Sequence, residues 1–375
     1  MDRPMRLRSR LRVLLLATSV ACGAQAQPAG TPTPPAAEGV ARPSVVLLLP
    51  APSTGFARPA EALRLGFFAA HRATGETVTV QVVEIDDSSE QLAAALASAR
   101  ERGVSVVVGP LPRAAVNDVV EGRRAATPLV ALNFPDFDSG ASPDTLAVAL
   151  SLEVEAQRIV KVALSEFVGT RRADARPRVA VVSTPGGLER RVAQAYVSAL
   201  RAAGDVPVQV EWTPETAARA GALLAAPTLE AVFLALTARD AAQLRGMIPR
   251  EAQVFGTSML YGGDPRSSPT AASLAHDLDG VRFTDMPWLL QPDHPAVMIY
   301  PAPSTPLSTE LSRLYALGID AYRIAVAWMK GERRFDLDGV TGRLRIDRSQ
   351  SLRVERTPVL AIFRDGRVER LEIAR

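Results

Sequence analysis
A chain of 375 residues is longer than one hydrophobic core organises well and fits two lobes. Its 47% hydrophobic and 22% charged residues exclude the apolar-poor profile of a disordered chain, and aromatics at 5% make the expected core aliphatic. The sequence pI of about 9.3 does not point to nucleic acid: residues 1–26 hold five Arg and one Asp, a net of +4, and taking this from the formal +3 leaves −1 for the rest.

Arg3, Arg6, Arg8, Arg10 and Arg12, the apolar run 11–21 and the small residues of 22–27 form the basic, apolar, small order of a secretory signal peptide over residues 1–26. The apolar run is too short to span a bilayer core of about 30 Å, and no other stretch is long enough, so no transmembrane segment is expected. Cys22 is the only cysteine, which rules out an intramolecular disulfide. Two fates stand open for it: Ala24-Gln25-Ala26 fits a cleavage site that discards it, and Ser19-Val20-Ala21-Cys22 resembles a lipobox that makes it a lipidated first residue. Residues 27–43 are Pro-rich and read as an extended tether.

From Ser44 strands alternate with helices. The apolar run 44–50 (SVVLLLP) predicts a strand buried on both faces, followed by a helix over 60–72 with Leu63, Phe67 and Ala70 on one stripe. Further strands are expected at 78–85, 104–108 and 129–132, and helices at 91–102 and 114–124. After a looser stretch, 134–144, the pattern restarts with a helix over 153–168. Strands follow at 178–183, 208–212, 231–236 and 253–256, with helices at 188–203, 217–225 and 241–247. The tail reads as an extended 280–287, a long helix 309–330, and strands 340–346 and 358–363 before a turn at Asp365-Gly366. This alternation predicts an α/β protein of two doubly wound, Rossmann-like lobes. The return of the chain after the second set implies multiple hinge crossovers, an arrangement that resembles the type I periplasmic binding proteins. Residues 44–148 with about 290–335 are expected in lobe 1, and 149–289 with about 336–375 in lobe 2.

Catalytic signatures are missing. His71, His276 and His294 lie in no metal-ligand spacing, no nucleophile elbow or phosphate-binding glycine loop occurs, and neither a metal nor a cofactor is expected. Ligands of open α/β sheets meet the carboxyl ends of strands, where helix N-termini present free N–H groups. That selects Ser53, Thr54, Gly109, Pro110 and Asn133 in the first lobe, and Ser183, Thr184, Gly187 and Tyr261 in the second. Helix capping explains Ser53, Thr54 and Thr184 equally well. Arg282, Asp285 and Trp288 lie near an expected crossover and are candidates for a hinge or a partner contact. Gly339 and Gly342 bracket a tight turn, and Arg343, Arg345, Arg348 and Arg353 read as a solvated strand face.

LLLPAPSTG at 47–55, ALRLGFFAA at 62–70 and VGPL at 108–111 resemble the first lobe of type I solute-binding proteins. GVRFTDMPW at 280–288, LYALGIDAYR at 314–323 and FDLDGVTGRL at 335–344 follow one another as in the LpoA/LppC family, outer-membrane lipoproteins that activate penicillin-binding proteins. The resemblance covers essentially all of residues 44–375. Members of the best-known lineages place a helical-repeat domain before this module, where this sequence has the Pro-rich tether. The resemblance implies a non-catalytic, periplasmic regulator of peptidoglycan synthesis, anchored to the outer membrane if Cys22 is lipidated, whose partner is a class A penicillin-binding protein. The alternative is a solute-binding protein that delivers an amino acid or similar small polar ligand to an ABC transporter. Neither reading calls for nucleic acid.

Overall fold
The computed structural model describes residues 43–122, 127–137, 140, 142–167, 178–226 and 229–372. The expected signal peptide, Cys22 and nearly all of the tether lie outside them. In chain order the first half comprises β1 (Ser44–Pro50), α1 (Ala57–Thr74), β2 (Thr79–Ile85), α2 (Ser89–Glu101), β3 (Val106–Val108), α3 (Arg113–Glu121), β4 (Leu129–Ala131) and β5 (Thr145–Ala147). The second continues with α4 (Leu152–Phe167), β6 (Arg178–Ser183), α5 (Gly187–Ala202), β7 (Val208–Glu211), α6 (Ala217–Leu224), β8 (Leu229–Ala235), α7 (Ala238–Arg245), β9 (Gln253–Gly256), α8 (Pro269–Asp277) and β10 (Val281–Asp285). The tail holds α9 (Pro287–Leu290), α10 (Pro295–Met298), α11 (Thr309–Met329), β11 (Arg334–Asp338), β12 (Arg343–Asp347), β13 (Glu355–Thr357), β14 (Val359–Arg364) and β15 (Arg367–Leu371).

The first sheet is parallel throughout, in the order β2-β1-β3-β4-β5. Successive residues of β1 point to opposite faces: Val45, Leu47 and Leu49 pack under α1 and α11, while Val46 and Leu48 pack under α2 and α3. This two-sided burial is why the run carries no polar alternation. The second sheet runs β15-β14-β10-β9-β8-β6-β7, parallel from β10 to β7 and antiparallel across β14 and β15. Val182, Leu234 and Phe283 face one apolar layer, and Val181, Phe233 and Phe255 the other. Asp365 (φ 48°) and Gly366 (φ 71°) make the two-residue turn between β14 and β15, both with the positive φ that such a hairpin demands.

Three crossovers join the halves: residues 148–151 between β5 and α4, Met286 between β10 and α9, and Pro358 between β13 and β14. The tail differs from the expectation. Residues 336–357, expected with the second lobe, lie against the first, because β11-β12-β13 form a small antiparallel sheet that buries Val340, Leu344, Ile346 and Val354 in the core shared with α1 and α11. Backbone hydrogen bonds to Ala147 from Val354 (2.9 Å), and from Ala147 to Leu352 (2.8 Å), continue the first sheet into it. Only β14 and β15 return to the second sheet.

The strand expected from Val340 begins at Arg343 instead, since Asp320 of α11 holds residues 339–342 as a turn. Its wholly buried carboxylate accepts from Val340 N (3.1 Å), Thr341 N (2.8 Å) and Thr341 Oγ1 (2.7 Å), and burial pushes its pKa up. Gly342 has φ +140°, and a Cβ there would sit 2.5 Å from Thr357 O. Gly339 needs no positive φ; a Cβ would come within 2.7 Å of the Asp320 carboxylate. Asp320→Ala orphans two buried N–H groups, each costing about 1–3 kcal/mol. A fall in the urea midpoint corresponding to at least about 2 kcal/mol is expected, with the urea dependence unchanged.

Candidate functional site
The segments that follow β8 and β9 and the N-terminal turns of α4, α5, α7 and α11 surround a cavity of about 670 Å³. Leu150 of the first crossover, Leu152 at the start of α4 and Met286 of the second crossover close its hinge side, and Leu188, Met259 and Tyr261 supply further apolar wall. Glu189, Asp240 and Glu310, each in the first turn of its helix, complement the positive helix ends. Asp240 is engaged locally, accepting from Thr237 Oγ1 (2.7 Å), and the Glu189 carboxylate folds back to where a Cβ of Gly186 would stand. Burial raises the Tyr261 phenol, so it stays protonated.

Two ion pairs form the floor. Arg313, in the first turns of α11, donates through Nε and Nη2 to both oxygens of Asp285 at the end of β10 (3.1 and 2.6 Å), and Nη2 also reaches Ser258 O (2.8 Å). Asp285 is 1% exposed and Arg313 13%. Burial pushes the Asp285 carboxyl up from the usual carboxylate range, opposed by Arg313, and Met286 N donates to its Oδ1 (2.8 Å). Beside this pair, Arg356 of β13 donates to Glu155 Oε1 of α4 (2.9 Å) and to Thr341 O (3.2 Å), and Glu155 Oε2 accepts from Ser258 N (3.0 Å). Both members are about 5% exposed. Ser258 joins the pairs through its two backbone groups.

The expected site residues divide among several places. Asp285 stands at a crossover with Arg313 as its partner. Trp288 donates its backbone N–H to Val340 O (2.9 Å), and its ring lies 5.2 Å from that of Tyr315 against the core of the first half. Arg282 points elsewhere, pairing with Glu166 and lying over Phe255. Tyr261 lines the cavity, whereas Ser183, Thr184 and Gly187 stop short of it and their neighbours Leu188 and Glu189 reach in. Pro110 lines a separate cavity of about 450 Å³ at the ends of β1, β2 and β3. Gly109 precedes it at φ +125°, where a Cβ would meet Leu48 O at 2.1 Å, a backbone reason for glycine. Asn133 is spent on Leu111 O (3.3 Å) and Phe134 N (2.9 Å). Ser53 is exposed, and Thr54 donates to Ala51 O (2.9 Å). Neither Thr54 nor Thr184 caps a helix, the N-caps of α1 and α5 being Phe56 and Gly186. Of the arginines read as a solvated face, Arg345 pairs with Asp336, but Arg348 lies 3.9 Å from the Trp328 ring centre and Arg353 donates to Pro135 O and Phe137 O.

Glu155, Ser258, Arg313 and Arg356 were not anticipated. Phase was the available signal: Arg356 continues the buried alternation of Leu352 and Val354, and Glu155 adjoins Ala156 on the buried stripe with Ile159.

A family model described as "LppC putative lipoprotein" matches residues 35–220 and 225–366. The penicillin-binding protein activator LpoA of Yersinia pseudotuberculosis is 28% identical over 317 residues, which cover 72% of this chain and 47% of that protein. LpoA of Photobacterium profundum is 24% identical over 334 residues, 81% of this chain and 53% of its own. The chain thus spans about half the length of the curated relatives it matches. Among solved structures, a "putative branched-chain amino acid ABC transporter" from Chromobacterium violaceum superposes with a TM-score of 0.70 at 31% identity, over 86% of this chain and all of the other. Full-length LpoA from Haemophilus influenzae gives 0.70 at 22% identity over 88% of this chain and 59% of its own, a likeness of fold. The fold is that of the type I periplasmic binding proteins. Among the described residues no helix is long and apolar enough to cross a membrane.

Proposed function
We propose, because this chain belongs to the LppC lipoprotein family, that it is a non-catalytic activator of a class A penicillin-binding protein in peptidoglycan synthesis. It works in the periplasm, held at the outer membrane through a lipidated Cys22. The observation that carries the reading beyond family membership is the state of the cleft floor. A solute trap keeps a buried cation and a buried anion free to fix its ligand. Here the buried charges Arg313, Asp285, Glu155 and Arg356 are occupied with one another, while Arg239 and Glu310, which also line the cavity, are exposed.

Activation then requires only that the chain bind the active conformation of the synthase better than the inactive one, which shifts that population with no bond made or broken here. Titrating the chain into its cognate class A synthase is expected to raise glycan polymerisation or peptide crosslinking several-fold, saturably. Absence of both association and stimulation removes the reading. The mass of the mature N-terminus tests the anchor, a diacylglycerol-modified Cys22 being expected.

The cavity and the Chromobacterium structure favour a second reading, an amino-acid-binding protein. A ligand at a hundred times its dissociation constant adds about 2.7 kcal/mol of stability, so a thermal-shift screen with amino acids and muropeptides separates the two. No shift is expected with amino acids.

A further inference from the structure
The two floor ion pairs share a polarity that the family resemblance does not address. Both cations come from the first half, Arg313 on α11 and Arg356 on β13, and both anions from the second, Asp285 on β10 and Glu155 on α4. Three of the four lie near a crossover: Glu155 follows the first, Asp285 ends the strand before the second, and Arg356 precedes the third. Ser258 ties the pairs together, its N–H bound to Glu155 and its carbonyl to Arg313. Rotation of one half about the three crossovers has to misalign a bidentate guanidinium and strand buried charges, so any change of angle carries a large electrostatic cost.

We infer that this doubled ion pair is a clamp that fixes the angle between the halves, so that the cleft does not open and close as a ligand trap does. The module presents a rigid composite surface assembled from both halves. The clamp is a property of this chain alone; its use as a platform for a synthase rests on the reading in the preceding subsection.

The only native cysteine is Cys22, so the intact chain carrying Cys22→Ser, Arg100→Cys and Arg201→Cys takes one spin label on α2 and one on α5, at exposed positions. Electron–electron double resonance without any synthase is expected to give one narrow distance distribution, unmoved by saturating amino acids or muropeptides. A broad or two-peaked distribution overturns the clamp. Glu155→Gln with Arg356→Met removes one pair without leaving a lone buried charge, and Asp285→Asn with Arg313→Met removes the other. Either is expected to widen the distribution at least about twofold while melting remains cooperative; if one of them does not fold, the other carries the comparison. A cooperatively folded variant as narrow as the parent sinks the proposal. A widened variant that still stimulates the synthase as well as the parent overturns the rigid platform alone, and a parent that stimulates nothing counts against the activator reading alone.

Discussion

Glu155→Ala is expected to lower stability by about 3–5 kcal/mol, because it leaves Arg356 as a lone charge in a buried site. The same change removes the acceptor of Ser258 N–H. Thermal melting should fall by roughly 10 °C, at a few degrees per kcal/mol for a module of this size. Glu155→Gln with Arg356→Met should lose less than half as much, since no buried charge is left unpaired, and a double-mutant cycle from the urea midpoints isolates the coupling. Exposed pairs give the scale for comparison. Arg64–Glu61 and Arg364–Glu369 are each more than 40% exposed at both ends, and breaking either should cost under about 1 kcal/mol. An Ala substitution at Glu155 as mild as one at Glu61 would mean that solvent reaches the floor of the cleft.

Much of the fold was legible because burial on both faces writes itself as unbroken apolar runs. SVVLLLP and RVAVVS mark β1 and β6 without further help. The three-residue strands β5 and β13 offer no such run, and they are ordered by their neighbours: β5 by β4 and by Leu352 and Val354, β13 by β12. The placement of β11–β13 was not legible for a related reason. Their alternation predicts a half-buried sheet but does not say against which core, and the choice is made by Asp320, twenty residues upstream of the turn it holds.

The site was legible only in part. Asp285 was legible from its place near an expected crossover. Its partner was not: Arg313 sits on a helix that carries charge ordinarily, and the path through α9 and α10 sets their meeting. Hydroxyls and amides at strand ends were the natural candidates for a ligand, yet Thr54 and Asn133 are spent on nearby backbone groups, and the cavity sets an apolar wall over a floor of paired charges. Strand-end position thus leads to the edge of the sheet where the cavity lies, and of the expected residues there Tyr261 lines it.

Gly66→Ala and Gly318→Ala are expected to be strongly damaging single-methyl insertions. Glycines set the closeness of α1 and α11: a Cβ on Gly66 would lie 1.8 Å from Tyr315 O, and one on Gly318 would lie 2.1 Å from Leu63 O and 2.8 Å from Phe67 N. Those are main-chain atoms, so no rotamer change relieves the overlap and the helices must part. Parting them loosens Phe67 against Tyr322, whose rings now meet edge to face at 5.1 Å. Overpacking typically costs about 1–3 kcal/mol, and a clash with main chain belongs at or above the top of that range. The two effects should be strongly sub-additive, because one separation of the axes accommodates both methyls. Gly75→Ala serves as a control: its φ of +62° imposes strain, but a Cβ there meets nothing within 4 Å. Melts of the three single variants and the Gly66/Gly318 double variant decide the matter, and equal losses at Gly75 and Gly318 would show that the helices yield. Since α11 carries Arg313 near its start, moving the helix also disturbs the pairing with Asp285. The same variants should therefore broaden the interlobe distance distribution even where they remain folded, linking the packing of one half to the angle between the two.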